Sequence, residues 1–220
     1  MNGLNTVYNI FLFDLDGTLT DTGPGIRNSV AYALRQQGIH VSDMSELNRF
    51  VGPPLIDSFQ SFYGMNDEQA HKAVADYRSV YAQKGIYENN IYDGMRELLK
   101  TLFEMGKTLA VATSKPERFA KLIVDDLQIS QYFKLVAGAD MEGKRNKKSL
   151  VIEYALDTLN VTDRSEVLMI GDTKFDVIGA RECGIDCLGV LFGYGSRQEL
   201  EKEGALYICE DVYSIMETVI

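Results

Sequence analysis

Basic residues, cysteines and long apolar runs are all scarce in this sequence. There are 22 Lys and Arg residues against 32 Asp and Glu, which gives a net charge of −10 and an isoelectric point near 4.7. An acidic surface repels nucleic-acid backbones and anionic membranes, so we expect neither as a partner. It also repels phosphate esters at long range, and a phosphate site in this protein therefore has to be locally positive.

The three cysteines, Cys183, Cys187 and Cys209, form neither a CxxC pair nor a motif with histidine. Their spacing argues against a zinc site and favours reduced, buried thiols, as is usual in cytosolic proteins. The apolar stretch Val7–Phe13 is too short for a membrane span or for the core of a signal peptide. We therefore predict a cytoplasmic protein.

Short apolar runs alternate with helical patterns over most of the chain. Tyr8–Phe13 is rich in aromatic and branched residues and stops at Asp14, which is typical of a central strand buried on both faces. Asp93 is the expected N-cap of a helix that buries Leu98 and Leu102 and closes at Gly106. Pro116 is expected in the first turn of the next helix, whose apolar side carries Leu122. Further strands are predicted at Thr108–Thr113, Leu135–Ala137, Val167–Ile170 and Cys187–Leu191. Strands that alternate with helices imply βαβ units, so the predicted fold class is α/β, with a doubly wound, Rossmann-like parallel sheet.

The segment between residues 20 and 88 breaks this alternation. It contains no convincing strand but four helical patterns, at Ile26–Gln37, Ser45–Phe50, Leu55–Tyr63 and Asp67–Lys84. We interpret it as a small helical cap domain inserted after the first strand. The predicted domains are therefore an α/β core of residues 1–19 and 89–220 and a helical cap of residues 20–88.

Polar residues follow several of the predicted strands directly. Ligands of open α/β sheets bind beyond the carboxyl ends of the strands, so these residues are candidates for a single site. They are Asp14-Leu-Asp16-Gly-Thr18 after the first strand, Thr113-Ser114-Lys115 after the second, Lys148 at the start of an intervening helix, and Gly171-Asp172-Thr-Lys-Phe-Asp176 after a later strand.

Asp14 and Asp16 are two residues apart, and in an extended backbone both side chains then point the same way. Two adjacent carboxylates repel each other unless a divalent cation lies between them and a third acid. Mg²⁺ prefers oxygen ligands, usually one or two carboxylates with waters and a substrate phosphate, and Asp172 is the natural third donor. Gly17 allows a sharp turn that brings backbone N–H groups to a bound phosphoryl group.

These segments resemble the four motifs of the haloacid dehalogenase-like phosphohydrolases. Phe13-Asp-Leu-Asp-Gly-Thr18 is similar to the first motif, Leu109–Thr113 to the second, and Gly171–Asp176 to the fourth, with Lys148 at the place of the third. The motifs occur in the family order and span most of the chain. The segment after the first motif resembles the helical cap of the phosphoglycolate phosphatase and β-phosphoglucomutase branch.

The resemblance implies a role for each matching acid. Asp14 is the expected nucleophile, and Asp16 is expected to protonate the leaving oxygen and then to take a proton from water. Mg²⁺ is expected on the Asp14 carboxylate, the main-chain carbonyl of Asp16 and the Asp172 carboxylate. Thr18 and Asp176 are expected to support the site, Asp176 by holding Lys148 or a metal-bound water.

Thr113, Ser114 and Lys148 are the expected phosphate-binding residues, which offset charge in the transition state. Many relatives have a proline directly after the lysine of the third motif, but Lys144–Ser149 contains none. Its two adjacent lysines leave Lys147 as an alternative. We prefer Lys148 because its distance to the helix face Ile152–Ala155 fits better.

The resemblance predicts a phosphoric monoester hydrolase that acts on a small phosphorylated metabolite, with phosphoglycolate and 5′-nucleotides as the first substrates to test. A sugar-phosphate mutase of the same branch and a non-catalytic binding protein on the same fold are the alternatives. The second aspartate, Asp16, argues against a dehalogenase, since dehalogenases of this family lack it. Either a monomer or a homodimer is compatible with the sequence.

Overall fold

The structure, a computed structural model, describes residues 8–140 and 144–220. The chain divides into two compact units, one comprising the chain up to Thr20 together with Ile91–Ile220 and the other comprising Asp21–Asn90. The interpretation of these units as catalytic core and cap remains a prediction. Within the described ranges, no helix is both long and apolar enough to cross a membrane.

Among the described residues, strands and helices alternate along the first unit. The secondary structure of the second unit is nearly all helical. The strands are β1 Ile10–Phe13, β2 Thr20–Asp21, β3 Asn90–Ile91, β4 Thr108–Pro116, β5 Leu135–Ala139, β6 Val167–Gly171, β7 Asp186–Val190 and β8 Tyr207–Cys209. The helices are α1 Gly23–Gln36, α2 Leu55–Tyr63, α3 Asp67–Tyr81, α4 Met95–Glu104, α5 Glu117–Asp126, α6 Lys148–Thr158, α7 Lys174–Glu182, α8 Arg197–Glu203 and α9 Val212–Val219. Short 3₁₀ segments occupy Met44–Phe50, Gly85–Tyr87, Ser130–Tyr132 and Arg164–Glu166.

Six parallel strands form the sheet of the first unit in the order β5-β4-β1-β6-β7-β8. The chain builds outward from β1 through β4 to β5 and then resumes on the other side of β1 with β6. This order confirms the predicted α/β fold with a Rossmann-like parallel sheet flanked by helices. A ligand crevice is expected where the direction reverses, beyond the carboxyl ends of β1 and β6.

One face of this sheet is covered by α6, α7 and α8. Its buried side chains include Leu12 from β1, Met169 from β6, Ile152 and Leu156 from α6, and Leu200 from α8. Strand residues alternate between the two faces, so Phe11 and Phe13 are buried on the opposite side. Each large apolar side chain buried in this way contributes about 1.5–3 kcal/mol to folding.

The ends of two helices differ from the sequence prediction. Helix α4 buries Leu98 and Leu102 as expected, but its N-cap is Gly94 in the left-handed region, at φ 76°, rather than Asp93. The Met95 N–H donates to the Tyr92 carbonyl and closes a tight turn. Gly94 occupies the position in this turn that requires a positive φ, which glycine adopts without strain. Pro116 ends β4 instead of opening the first turn of α5, and Leu122 is exposed rather than buried.

Four strands and helices were absent from the sequence prediction, namely the two-residue strands β2 and β3, the strand β8 and the helix α8. Strand β8 has three residues and lies at the edge of the sheet, so its run is too short to display an alternating pattern. Helix α8 has seven residues, of which only Leu200 is buried. One apolar residue in two turns produces no helical periodicity.

The second unit is held together by contacts among its own helices, with α3 against α1 and α2. A capping box begins α3, since the Asn66 side chain accepts from the Gln69 N–H and Gln69 accepts from the Asn66 N–H. Tyr77 and Tyr81 are buried and stacked, with ring centroids 5.1 Å apart. These aromatic rings stabilise the packing within this unit.

Candidate active site

Two acids lie at the point where the sheet reverses direction. Asp14 follows β1, Asp172 follows β6, and the two strands are neighbours with Phe13 opposite Ile170. The Asp14 N–H continues the ladder by donating to the Ile170 carbonyl at 2.9 Å. The strand pairing therefore brings two carboxylates together that are 158 positions apart in the sequence (172 − 14).

A third acid comes from the first turn of α7. Ligand oxygens of Asp14, Asp172 and Asp176 all lie within 4.8 Å of one another, and all three residues are buried. Asp176 Oδ2 accepts from the Thr173 N–H at 3.0 Å and from the Thr173 hydroxyl at 2.9 Å, which fixes the start of α7. This acid therefore belongs both to a helix cap and to a cluster that could bind a metal ion.

Lys148 lies within the same cluster, at the start of α6. Its Nζ is 2.9 Å from Asp14 Oδ1 and 2.8 Å from Asp176 Oδ1, and it donates to the Ala112 carbonyl at 3.1 Å. Lys148 is buried, whereas Lys147 is exposed. Of the two lysines that the sequence left open, the structure brings Lys148 to the acids.

The charges of this buried cluster do not cancel. Three ionised carboxylates and one ammonium group sum to −2, and isolated buried charge is strongly unfavourable. One divalent cation balances this sum, and carboxylate oxygens are the ligands that Mg²⁺ prefers. The donor set therefore fits a hard divalent cation.

Burial and the neighbouring charges of the cluster also shift the pKa values of its members. Burial raises the pKa of Asp14, and the Asp176 charge adds to this, while Lys148 opposes it. Burial, followed by the charges of Asp176 and Asp14, raises the pKa of Asp172 well above its usual value. Burial lowers the pKa of Lys148, but the carboxylates of Asp14 and Asp176 outweigh this effect and raise it, so the lysine stays charged.

A glycine-rich loop after β7 encloses Asp172. The Tyr194 N–H donates to Asp172 Oδ2 at 2.7 Å. A Cβ atom at Gly193 would overlap the Asp172 side chain, and so would one at Gly17, which also has a φ of 80°. Side chains at these two positions would push Asp172 out of place, which explains why glycine is required there.

Two threonines complete the inner surface of the site. The Thr18 hydroxyl donates to Asp172 Oδ1 at 3.4 Å. Thr113 is buried, and its side chain hydrogen-bonds to Asp14. Ser114 is half-buried, and in the described part of the chain no side-chain hydrogen bond ties it to the acids.

The Asp16 carboxylate is not one of the clustered acids, although the two-residue spacing suggested that it would lie beside that of Asp14. Its Oδ2 lies 2.9 Å from Lys115 Nζ instead. Lys115 is among the candidate residues that follow the second predicted strand, but the sequence alone assigns it no specific role. Tyr194 was also missed, because a backbone N–H donor has no sequence signature.

The site residues occur in a sequence with recognisable relatives. The sequence model of the family described as "Haloacid dehalogenase-like hydrolase" matches residues 11–190. A protein of Pseudomonas aeruginosa named 5′-nucleotidase is 40% identical over 212 residues, which cover 96% of each chain. The phosphoglycolate phosphatase of Pseudomonas savastanoi pv. phaseolicola is 27% identical over 94% of this chain and 78% of its own.

Two further similarities concern a named kinase and a solved structure. "Tyrosine-protein kinase PtkA" of Mycobacterium tuberculosis is 38% identical over 193 residues, which are 88% of this chain but only 65% of PtkA. The crystal structure of a predicted phosphatase from Clostridium acetobutylicum superposes with a TM-score of 0.92 at 43% identity, covering 96% of this chain and 98% of that one. The similarity in fold and sequence therefore spans nearly the whole chain.

Proposed function

This chain belongs to the haloacid dehalogenase-like hydrolase family and is a phosphatase, and from that premise we propose that it hydrolyses small phosphate monoesters through a covalent phosphoryl group on Asp14. The observation that carries the proposal is the buried cluster of Asp14, Asp172, Asp176 and Lys148 at the reversal point of the sheet. The net charge of this cluster, −2, favours a divalent cation, which we propose is Mg²⁺.

The chain's own groups supply both half-reactions. An oxygen of Asp14 forms a bond to phosphorus as the bond to the ester oxygen breaks, and Asp16 gives its proton to that leaving oxygen. Asp16 then takes a proton from water, the water oxygen bonds to phosphorus, and Asp14 is released. Mg²⁺ bound by Asp14, Asp172 and the main-chain carbonyl of Asp16 would offset the charge of the transferring phosphoryl group.

The neighbouring residues orient these groups. Lys148 and Thr113, which already contact Asp14, would hold phosphoryl oxygens together with Ser114 at the end of β4. Asp176 keeps Lys148 at the cluster, and Thr18 restrains Asp172. In this proposal, Asp176 acts through its partners rather than on the substrate.

Among small phosphate monoesters, we propose a 5′-nucleotide as the first substrate class and phosphoglycolate as the second. The P. aeruginosa relative named 5′-nucleotidase matches nearly all of both chains, and the relative named phosphoglycolate phosphatase is less similar. To test this order, kcat/KM is measured for 5′-nucleotides and for phosphoglycolate at one fixed Mg²⁺ concentration. A higher value for phosphoglycolate would reverse this order without affecting the chemistry.

Replacing the nucleophile tests the proposal directly. We expect Asp14→Asn to lower kcat on p-nitrophenyl phosphate with Mg²⁺ by at least about 10³-fold, because the amide cannot form the phosphoryl intermediate. Asp125→Asn, on the exposed side of α5, is the matched control and should leave kcat unchanged. Equal activity in wild type and Asp14→Asn would refute the mechanism, and a non-catalytic wild type would refute the function.

Phosphoryl transfer to tyrosine is a second candidate because PtkA is 38% identical to this chain. Incubation with ATP and a tyrosine-containing protein, followed by phosphotyrosine detection, separates transfer from hydrolysis. The same Asp14→Asn variant shows whether both activities depend on one site.

We also propose a cytoplasmic location, since Cys183, Cys187 and Cys209 are all free thiols.

A further inference from the structure

Two lysines are buried among the described residues, and they pair with different acids. Lys148 contacts the clustered carboxylates, whereas Lys115 Nζ lies 2.9 Å from Asp16 Oδ2. The side chains of Lys115 and Asp16 are only 5% and 11% exposed. Charged groups are rarely buried to this degree unless they are paired, so the position of Lys115 requires an explanation.

The Lys115–Asp16 pair lies outside the group of acids whose ligand oxygens are within 4.8 Å of one another. The cluster carries a net charge of −2 without it, and the pair itself sums to zero. The carboxylate of Asp16 is therefore turned toward its own cation rather than toward the other acids. A fourth carboxylate in the cluster would add to its unbalanced negative charge.

We propose that Lys115 is a positioning residue for proton transfer by Asp16. This inference rests on the proposed function, in which Asp16 protonates the leaving oxygen. Asp16 alternates between a protonated acid and the carboxylate that remains after proton transfer. The ion pair describes the second state, in which Lys115 holds the Asp16 carboxylate apart from the clustered acids and places a cation beside it. Lys115 thus acts through Asp16 and not on the phosphoryl group.

The backbone of Lys115 ties this pair to the nucleophile. Its N–H donates to the Thr113 hydroxyl oxygen at 3.2 Å, and the Thr113 side chain hydrogen-bonds to Asp14. The end of β4 therefore contacts both acids of the first motif, Asp14 through Thr113 and Asp16 through Lys115. A change at Lys115 should disturb the proton donor while leaving the clustered acids in place.

The dependence on the leaving group tests this role. Expulsion of an alkoxide needs a proton from Asp16, whereas expulsion of p-nitrophenolate needs little help. We expect Lys115→Met to lower kcat/KM on β-glycerol phosphate by about tenfold to a hundredfold and on p-nitrophenyl phosphate by less than about threefold. Lys121→Met, which removes an exposed ion pair with Glu117, is the matched control.

A double-mutant cycle separates action through Asp16 from direct substrate binding. In an Asp16→Asn background, we expect Lys115→Met to cause no further loss on β-glycerol phosphate, the substrate on which the single variant is impaired. An additional loss in that background, or equal losses on both substrates in the single variant, would overturn the inference. Activity that survives Asp14→Asn would instead overturn the proposed function, so the two failures are distinguishable.

Folding and metal binding are measured on the same samples. Lys115→Met should keep the far-UV circular dichroism of the wild type and its Mg²⁺ affinity by calorimetry, because the clustered acids are unchanged. If that variant does not fold, Lys115→Gln, which retains a hydrogen-bond donor, is taken through the same substrates and the same cycle. A ten-fold or greater loss of Mg²⁺ affinity in a folded variant would contradict the separation of pair and cluster.

Discussion

The apolar face of the sheet and the carboxyl end of the same strands are stabilised in opposite ways. The face covered by α6, α7 and α8 buries residues such as Leu12, Leu156 and Met169, and each adds to the stability of the fold. The carboxyl end buries Asp14, Asp172 and Asp176 with one lysine, an excess of negative charge that opposes folding and that the proposed cation would balance. Stability and chemistry therefore occupy adjacent but separable parts of one sheet.

The largest expected effect comes from removing a charge at the carboxyl end. We expect Asp172→Asn to lower kcat by at least about 10³-fold, or about 4 kcal/mol, because a ligand of the proposed cation is lost. In EDTA the free energy of unfolding of the same variant should be higher than that of the wild type, because the raised pKa of Asp172 shows that its charge is unfavourable in the folded protein. Each kcal/mol of added stability should raise the melting temperature by about 2–4 °C. Activity assays measure the loss of kcat, and thermal melts of the same sample in EDTA measure the change in melting temperature.

Asn at this position can still accept the hydrogen bond from the Tyr194 N–H, so the loop after β7 should stay in place. A lower melting temperature for Asp172→Asn without metal would contradict the contrast between the apolar face and the carboxyl end of the sheet. It would mean that the buried acid stabilises the fold as the apolar residues do.

The next effect concerns the apolar face. Leu156→Ala removes a side chain of α6 that is 2% exposed and should lower the free energy of unfolding by about 2–5 kcal/mol. The folded fraction should keep a kcat within about twofold of the wild type, since Lys148 lies two turns earlier on the same helix. Chemical denaturation gives the first quantity and active-site-normalised rates give the second. A loss of kcat that exceeds the loss of folded protein would show that face and site are coupled.

The smallest effect is on the pH dependence of metal stabilisation. Since burial raises the pKa of Asp14 and Asp172, the metal-free fold binds more protons than the unfolded chain, and its stability from these groups falls as pH rises above about 4. Protons and the cation compete for the same oxygens. Saturating Mg²⁺ should therefore stabilise the fold more at pH 8 than at pH 5, by about 1–3 kcal/mol.

Thermal melts with Mg²⁺ and with EDTA at both pH values measure this difference. In Asp172→Asn the pH dependence of the metal effect should shrink, because one of the competing sites is gone. A metal effect of equal size at both pH values in the wild type would argue against cation binding to these acids.

Much of this architecture could be predicted because the candidate site residues come directly after apolar strands in the sequence. Asp14 and Asp172 each come directly after an apolar run, and parallel pairing brings such positions to one edge of the sheet. The parallel sheet was implied by the alternation of strands and helices from Asp93 onward. Pattern and topology therefore predict that these acids lie at one edge of the sheet.

The remaining features depend on tertiary contacts that leave little trace in the sequence. Lys115 and Asp16 are 99 positions apart (115 − 16), and nothing local indicates that they pair. The N–H of Tyr194 acts through its backbone, which any residue but proline provides. The α4 cap was placed at Asp93 because side-chain preference was considered and the positive φ of Gly94 was not.

The central claim is that Asp14 forms a covalent bond to phosphorus with the help of a cation held by the clustered acids. Rapid acid quench of enzyme and substrate, followed by borohydride reduction and peptide mass spectrometry, converts an aspartyl-phosphate to homoserine at its own position. We predict homoserine in place of Asp14 when substrate and Mg²⁺ are both present, and its absence in EDTA. Reduction at another residue, or an intact Asp14 during steady turnover under conditions in which an acyl phosphate control is reduced, would contradict the account.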